Sequence, residues 1–282
     1  MRCPKRGVLG STTPNLRATG ALRSSTLTPD IIYSMRITFL GTNGWYDTPT
    51  GNTVCILLET REYQIIMDAG NGIYKLDQYV VAGKRTYLFL SHFHLDHIIG
   101  LHTLNKFHFD GGLWIFGPEG TKDALGTIIN VPFSWPLTRL RYQVEIGEFP
   151  DDQGIVPFRV RSLPLRHSSL TLGYRFEMEE GVVAYCPDTG YCENAIALAK
   201  NANLLIAECA FRPGQESEEW PHLNPETAAR IAKEASAKSL ALVHFDASLY
   251  KTLEDRCQAE KVARTVFPET TASFDGMQIE IL

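Results

Sequence analysis

The sequence has few of the features that mark membrane, disulfide-rich or nucleic-acid-binding chains. No apolar run approaches the roughly 18 to 20 residues that cross a bilayer, so we expect no membrane partner. Its six cysteines form no CxxC pair and no signal segment is evident, which favours reduced thiols and predicts a cytoplasmic location. Lys and Arg number 27 against 32 Asp and Glu, a net charge of −5. A phosphate-tracking surface usually needs clustered positive charge, so this balance disfavours one.

The chain has instead the composition of an ordinary globular protein, with 44% hydrophobic and 21% charged residues among 282. Residues 1–34 differ from the rest, because they hold five basic residues, many Ser and Thr, and a single acid, Asp30. That composition also suits an organellar transit peptide, but Met35 stands directly before the first convincing strand. We therefore expect residues 1–34 to be a disordered extension, or the result of a start codon assigned too far upstream. Residues 35–282 should form one catalytic domain.

Short strand patterns alternate with helical patterns from Met35 onward. Strands are predicted at residues 35–40, 53–59, 63–68, 86–91, 113–116, 158–163, 172–176, 182–186, 204–207, 239–243 and 278–282. Helices are predicted at residues 72–82, 118–129, 193–201, 225–237 and 251–265. The clearest helix has Asn224 as N-cap and Pro225 at its first position. Interleaved strands and helices predict an α/β fold of sheets covered by helices.

The densest chemical signal is the loop His92-x-His94-x-Asp96-His97, which directly follows an apolar strand. On an extended segment His92 and His94 point the same way, because alternate side chains share a face. The chain must then turn, which aims Asp96 and His97 at a neighbouring point. One loop can thereby supply ligands to two adjacent metal ions, as hydrolytic two-metal sites require. Hydrogen-bonded loop histidines are the alternative, but ordinary loops lack this density of ligand residues.

This motif resembles the first motif of the metallo-β-lactamase superfamily. Three later residues match the family's order, namely His167 in Leu-Arg-His-Ser-Ser, Asp188 after the strand at 182–186, and His244 after the strand at 239–243. The resemblance covers about residues 35–250. It implies the αββα sandwich, in which two mixed β-sheets are covered by helices on their outer faces.

The resemblance also implies a set of metal ligands. One ion would be held by His92, His94 and His167, a second by Asp96, His97 and His244, and both would be bridged by Asp188. Imidazole and carboxylate donors without thiolates suit zinc, with manganese or iron as alternatives, so two divalent ions are the expected cofactors. Asp68, at a strand end, matches the family's acid that accepts a hydrogen bond from a ligating histidine. A turn-forming aspartate is the alternative.

His222, just before the helix capped by Asn224, bears on the type of reaction. Its placement is similar to the ribonuclease Z and phosphoribosyl cyclic phosphodiesterase branch, where a His here protonates the leaving oxygen. Glu208 resembles the acid that orients this His in ribonuclease Z, and a His held by a carboxylate can carry a proton near neutral pH. The implied reaction is attack of a metal-bridging hydroxide on phosphorus, with Asp96 orienting the nucleophile and His222 as general acid. An ordinary loop histidine is the alternative.

The chain departs from ribonuclease Z between His167 and Asp188, where that family inserts a long arm for gripping transfer RNA. These residues are only 21 positions apart, enough for two strands and a turn. Together with the acidic balance, this spacing predicts a small or cyclic phosphodiester as the partner and disfavours tRNA. The alternatives are a lactonase, thioesterase, β-lactamase or iron oxidoreductase on the same scaffold, a ribonuclease Z-like tRNA 3′ endonuclease, and a non-catalytic ligand-binding relative. The full ligand set argues against the last.

Residues 130–136 form a loop rich in proline and aromatic residues, with the sequence Asn-Val-Pro-Phe-Ser-Trp-Pro. Three interpretations are open for it: a lip over the substrate, a contact in a homodimer, or a part of the core. The sequence does not separate them.

Overall fold

The computed structural model of the protein describes residues 34–281. The extension predicted at 1–34 lies, apart from Ser34, outside the described residues and stays a prediction. Within the described range, no helix combines the length and apolar character needed to cross a membrane.

Fifteen strands and five α-helices make up the described chain, together with four 3-10 helices. The strands are β1 Met35–Gly41, β2 Asn43–Gly44, β3 Cys55–Glu59, β4 Tyr63–Met67, β5 Arg85–Phe89, β6 Leu113–Gly117, β7 Val144–Glu148, β8 Arg159–Pro164, β9 Leu172–Met178, β10 Gly181–Cys186, β11 Leu204–Glu208, β12 Leu240–Val243, β13 Phe245–Asp246, β14 Thr270–Ala272 and β15 Gln278–Ile281. The α-helices are α1 Leu95–Ile98, α2 Thr121–Ile128, α3 Glu193–Ala199, α4 Pro225–Glu234 and α5 Leu253–Val266. The 3-10 helices are Asn71–Gln78, Ile99–Lys106, Leu137–Arg139 and Asp151–Ile155.

Two mixed sheets form the centre of the fold. The first sheet has the order β15-β1-β3-β4-β5-β6-β7, and the second has the order β14-β12-β11-β10-β9-β8. Strands β4 to β7 run parallel, and so do β10, β11, β12 and β14. A third pair joins the two-residue strands β2 and β13. This pair brings the loop after β1 next to the loop after β12.

The main core lies between the two sheets. Phe39 and Phe89 of the first sheet belong to one buried cluster with Phe176, Ile206 and Val243 of the second. Strands covered on both faces are expected to be almost continuously apolar, and β3, with the sequence Cys-Ile-Leu-Leu-Glu, is buried at its first four positions.

Each outer face of the sandwich has its own covering layer. Leu205 on the second sheet packs in a cluster with Ala232 of α4. Leu88 on the first sheet packs with Leu125 of α2 and with Leu104 of a 3-10 helix. The α/β class and the αββα arrangement predicted from the sequence are therefore confirmed.

Several elements differ from the prediction. Residues 72–82, predicted as an α-helix, form a 3-10 helix over Asn71–Gln78 that starts after Gly70 without a side-chain cap. The helix predicted at 118–129 begins only at Thr121, because Gly120 has a left-handed φ of 89°. Four strands were not predicted: β2, β7, β13 and β14. Three of them are two or three residues long, which is too short for an alternating pattern, and β7 is an edge strand with few buried residues.

The cap predicted for α4 is present. The Asn224 side chain accepts a hydrogen bond from the Thr227 N–H at 2.8 Å, and the Thr227 hydroxyl accepts one from the Asn224 N–H at 3.0 Å. This reciprocal pair fixes the start of the helix, and with it the segment that carries His222.

Candidate metal centre and active site

The candidate site residues gather at one edge of the second sheet and the facing end of β5. His167 follows β8, Asp188 follows β10, Glu208 ends β11, and His244 follows β12. These strands all run in the same direction, so their carboxyl ends meet at one edge. His92 enters from the first sheet, three positions after the end of β5. The sandwich thus assembles the site from both sheets.

Three histidines form the first trio, His92, His94 and His167. His167 Nε2 lies 3.4 Å from His94 Nδ1. The Oδ2 atom of Asp188 is 3.9 Å from His92 Nε2 and 3.8 Å from His167 Nε2. One ligand atom from each of these four residues lies within 4.8 Å of the others, a spacing suited to donors around a single ion.

The second trio is Asp96, His97 and His244. His97 Nε2 is 3.1 Å from His244 Nε2, and Asp96 Oδ2 is 3.7 Å from the former and 3.2 Å from the latter. The Oδ1 atom of Asp188 lies 3.1 Å from His97 Nε2 and 3.2 Å from His244 Nε2. Asp188 therefore directs one oxygen to each trio, the placement that a bridging carboxylate needs.

The donor set fits divalent metal ions. Within the described residues, the buried Nε2 of His92 and Oδ1 of Asp188 make no hydrogen bond of acceptable geometry, although Oδ1 lies close to two ring nitrogens. Buried polar atoms are normally paired, and a metal ion would satisfy both. The convergent atoms are all imidazole nitrogens or carboxylate oxygens, which suits zinc, manganese or iron.

The pKa values of the histidines shift down in the first trio and up in the second. Burial lowers the pKa of His92 well below its usual value, and the neighbouring His97 lowers it further. Burial also acts to lower the pKa of His97, but the carboxylates of Asp188, Asp96 and Asp68 outweigh it and raise that pKa. The protein without ions thus already stabilises positive charge at the second trio.

Asp68 holds His97 from behind. Its Oδ2 atom lies 2.8 Å from His97 Nδ1 and accepts hydrogen bonds from the hydroxyls of Tyr185 at 2.6 Å and Ser91 at 2.8 Å. Its Oδ1 atom accepts the Ser91 N–H at 2.7 Å. With this carboxylate behind it, His97 directs Nε2 at the second trio, which is the arrangement of a metal ligand supported from outside.

His222 and Glu208 form a second carboxylate–histidine pair. His222 Nδ1 lies 2.6 Å from Glu208 Oε1. Glu208 also accepts the N–H groups of Thr189 at 2.8 Å and Ala210 at 2.9 Å. Burial acts to lower the pKa of His222, but the charge and hydrogen bond of Glu208 outweigh it and raise that pKa to about 9. Glu208 therefore favours the protonated form of the ring.

A cavity of about 700 Å³ opens over the site. Five of its lining residues are titratable residues of the candidate site: His94, Asp96, Asp188, His222 and His244. Its other lining residues are Gly44, Trp45, Leu95, Ala210, Trp220 and Asp246. The aromatic loop at 130–136 contributes nothing to this lining, so the structure gives no support to a lip. Its Val131, Phe133 and Trp135 are exposed, so the core interpretation is wrong for them, and a homodimer contact stays a prediction.

Comparison with known proteins places the chain in a family. A family model described as a beta-lactamase superfamily domain matches residues 63–245, well over half of the chain. The chain belongs to the beta-lactamase superfamily. The matched range contains every residue of both trios, and also Asp68, Asp188, Glu208 and His222.

Members of the superfamily resemble the chain over almost its whole described length. It is 30% identical to the Bacillus subtilis protein described as Probable metallo-hydrolase YhfI, over 83% of this chain and 94% of that one. It is 30% identical to ribonuclease Z of Bacillus licheniformis, over 88% of this chain and 99% of that enzyme. The crystal structure of YhfI matches with a TM-score of 0.72 and 27% identity, covering 88% of this chain and 99% of that one. The predicted metal-dependent hydrolase is therefore confirmed at the level of this superfamily.

The two tryptophans were missed as site residues. Trp220 lies two positions before His222, and that proximity was an available signal. The sequence around Trp45 gives no such signal, because Trp45 reaches the cavity through the pairing of β2 with β13, which joins Asn43 to Phe245. Asn43 and Phe245 are too far apart in the sequence for a local pattern to reveal that they pair.

Proposed function

We propose that this metal-dependent hydrolase is a phosphodiesterase for a small or cyclic phosphodiester. The observation that carries the proposal is the pair of His222 and Glu208, 2.6 Å apart, of which His222 lines the cavity over the two trios. A positioned proton donor matters most when the leaving group is a poor one, such as the alkoxide of a phosphodiester. A thiolate leaving group has little need of one, so the pair favours a phosphodiester over a thioester.

Two divalent ions, zinc foremost, would complete the site in this proposal. The ligands would be His92, His94 and His167 for one ion, Asp96, His97 and His244 for the other, and Asp188 between them. Bound ions at such a site supply an activated water nucleophile and stabilise charge that develops on the phosphoryl oxygens.

The chain's own residues would position the nucleophile and move the proton. Asp96 Oδ2 accepts the Trp45 N–H at 2.7 Å, which fixes its carboxylate where it can orient the attacking water. The water oxygen bonds to phosphorus, and the bond from phosphorus to the leaving oxygen breaks. The proton on His222 passes to that oxygen, while Glu208 keeps the ring oriented. The water's proton is released to solvent, and His222 takes up a new proton from solvent. The product is a phosphomonoester and a free hydroxyl group, which stay on one molecule when the substrate is cyclic.

Two observations support a small substrate. In the hairpin of β9 and β10, Gly181 pairs with Met178, so only residues 179 and 180 form the turn and no arm extends between His167 and Asp188. The alignment with ribonuclease Z runs over 320 positions, more than the 282 residues of this chain. That enzyme therefore has segments without a counterpart here, whereas the alignment with YhfI runs over 235 positions.

A ribonuclease Z-like tRNA 3′ endonuclease is the second candidate. It is favoured by the 30% identity to ribonuclease Z over 88% of this chain. A tRNA precursor with a 3′ trailer belongs in the test for this reason.

The proposal also covers the cellular compartment in which the protein works. Cys55, Cys186, Cys192 and Cys209 form no disulfide, which is the usual state in a reducing compartment. This supports a cytoplasmic location.

The test compares the metal-loaded wild type with His222→Ala on a cyclic phosphodiester, bis(p-nitrophenyl) phosphate, a lactone, a thioester, nitrocefin and the tRNA precursor. We expect turnover of the cyclic phosphodiester to fall by roughly 10² to 10⁴ in the variant, with metal content unchanged. His108→Ala is the matched control, because His108 is exposed and pairs with Asp110 outside the site. Lactone turnover that exceeds phosphodiester turnover and ignores His222 would contradict the proposal. Cleavage of the tRNA precursor alone would select the second candidate.

A further inference from the structure

Two tryptophans stand at the rim of the cavity and take no part in the proposed proton transfer. Trp220 is 50% exposed and Trp45 is 68% exposed, and both line the cavity. Indole rings left in water at a cavity mouth offer a flat apolar surface, and such surfaces favour flat aromatic ligands.

Trp220 lies against the first trio. Its ring stacks on His94 with centroids 5.8 Å apart and an angle of 8° between the planes. Its centroid is 5.9 Å from that of His222. Because His222 is the proposed donor to the leaving oxygen, Trp220 lies on the side of the leaving group.

Trp45 lies at the second trio. Its backbone has a left-handed φ of 73°, which is costly for a bulky side chain, and strain of this kind concentrates at functional sites. The hydrogen bond from its N–H to Asp96 holds it there. Gly44 before it makes room for His244, since a Cβ at position 44 would lie 2.5 Å from His244 Cε1. The backbone at Trp45 is therefore strained, and the hydrogen bond to Asp96 keeps the Trp45 indole at the rim of the cavity.

The charge of the cavity restricts the substrate further. None of the described residues that line the cavity is Lys or Arg, whereas three are acidic: Asp96, Asp188 and Asp246. Arg166, beside the first trio in sequence, directs its guanidinium to Glu218 instead. A substrate with several phosphates needs several cationic contacts, and beside bound metal ions the lining offers only the protonated ring of His222. A single phosphate suits it better.

The size of the cavity agrees with a mononucleotide. Its volume of about 700 Å³ falls in the range of roughly 300 to 1,000 Å³ that is typical of small-molecule sites. Two indoles line this space, that of Trp220 beside His94 and that of Trp45, whose N–H bonds to Asp96.

We propose, resting on the phosphodiesterase function above, that the substrate carries one phosphate and an aromatic group such as a nucleobase, which stacks on Trp220. Trp45, which also lines the cavity, adds a second flat surface that selects for substrates with a ring. These two residues determine specificity and do not transfer protons.

The first test compares adenosine 2′,3′-cyclic monophosphate with glycerol 1,2-cyclic phosphate, which has the same five-membered cyclic phosphate but no base. In the metal-loaded wild type we expect kcat/KM to favour the adenosine compound by roughly tenfold or more, the size of one base–aromatic stack. Trp220→Ala should remove most of this ratio through KM rather than kcat, and Trp45→Ala should reduce it less. Trp135→Ala is the matched control, because Trp135 is 49% exposed and lies outside the cavity lining. Equal kcat/KM values in the wild type, or an unchanged ratio in Trp220→Ala, would overturn the inference.

A binding measurement separates this inference from the proposed function. Tryptophan fluorescence is followed as adenosine or ribose is added to the full-length protein; both are neutral, so charge plays no part. We expect saturable quenching by adenosine only, lost in Trp220→Ala and kept in Trp135→Ala. Quenching without turnover of any phosphodiester would reject the proposed function and leave the stacking site intact. Turnover of phosphodiesters with no preference for adenosine over ribose would reject the stacking site alone.

Discussion

The site contains two carboxylate–histidine pairs of nearly the same geometry in two different settings. Asp68 lies 2.8 Å from His97 Nδ1, and both side chains are fully buried. Glu208 lies 2.6 Å from His222 Nδ1, and the histidine side chain is 5% exposed and lines the cavity. The ring nitrogen of His97 that is turned away from its carboxylate faces other ligand atoms. The same pairing can therefore support a metal ligand in one place and a proton donor in the other. The difference is what lies next to the ring nitrogen that faces away from the carboxylate.

The two carboxylates are also anchored differently. Asp68 follows β4 in the first sheet and accepts the hydroxyl of Tyr185, on β10 in the second, so it ties the two sheets together. Glu208 accepts the N–H groups of Thr189 and Ala210, both in loops that follow strands of the second sheet. Loss of Asp68 should therefore disturb the metal centre and the sandwich, whereas loss of Glu208 should disturb mainly His222.

The largest expected difference between the pairs is in the dependence on the leaving group. Glu208→Gln removes the charge that raises the pKa of His222, so less of His222 carries a proton at pH 8. We expect kcat/KM for glycerol 1,2-cyclic phosphate to fall by about 10², and for bis(p-nitrophenyl) phosphate to fall far less, because p-nitrophenolate leaves without a proton. Thermal unfolding of the variant checks that the fold persists. Equal losses on both substrates would show that Glu208 acts on folding or metal binding instead.

A smaller effect is expected when the other pair is changed. Asp68→Asn should weaken metal binding by roughly 10- to 100-fold, the usual loss when the partner of a ligating histidine is altered. Its activity should fall on both substrates alike and recover in part as metal is added. Metal content after dialysis, measured beside Glu208→Gln, checks this. Full metal content in Asp68→Asn would break the distinction between the two pairs.

The sequence predicts the metal cluster well because its ligands lie directly after strands. His92 to His97 form one local motif, and Asp188 and His244 each follow an apolar strand, so strand direction alone brings them to a common edge. The structure brings together all seven predicted ligands. It also brings Asp68 to His97 and Glu208 to His222, as the resemblance implied.

The rim of the cavity could not be predicted in the same way, because it depends on distant contacts. Arg256 lies on α5, and a helical arginine normally faces solvent, yet it is buried and donates to Thr42 Oγ1 at 2.7 Å and to the Asn43 side chain. These contacts support the turn that carries Trp45. No spacing in the sequence connects residues 43 and 256.

The smallest effect concerns the stability of the ion-free protein and the pair of His222 and Glu208 at the cavity. The pKa of His222 is raised from 6.5 to about 9, so its protonation stabilises the folded state fully below about pH 6.5, and this stabilisation is lost as the pH rises through about 9. The free energy of unfolding of the wild type, relative to His222→Gln, should fall by at most about 1.4 kcal/mol for each pH unit in that window. His97 and His244 titrate in both proteins, so most of their contribution cancels in the difference. Urea unfolding at intervals from pH 6 to 9.5, with chelator present, measures it. A difference that stays constant across this range would mean that Glu208 does not hold a proton on His222, and the contrast between the two pairs would then rest on geometry alone.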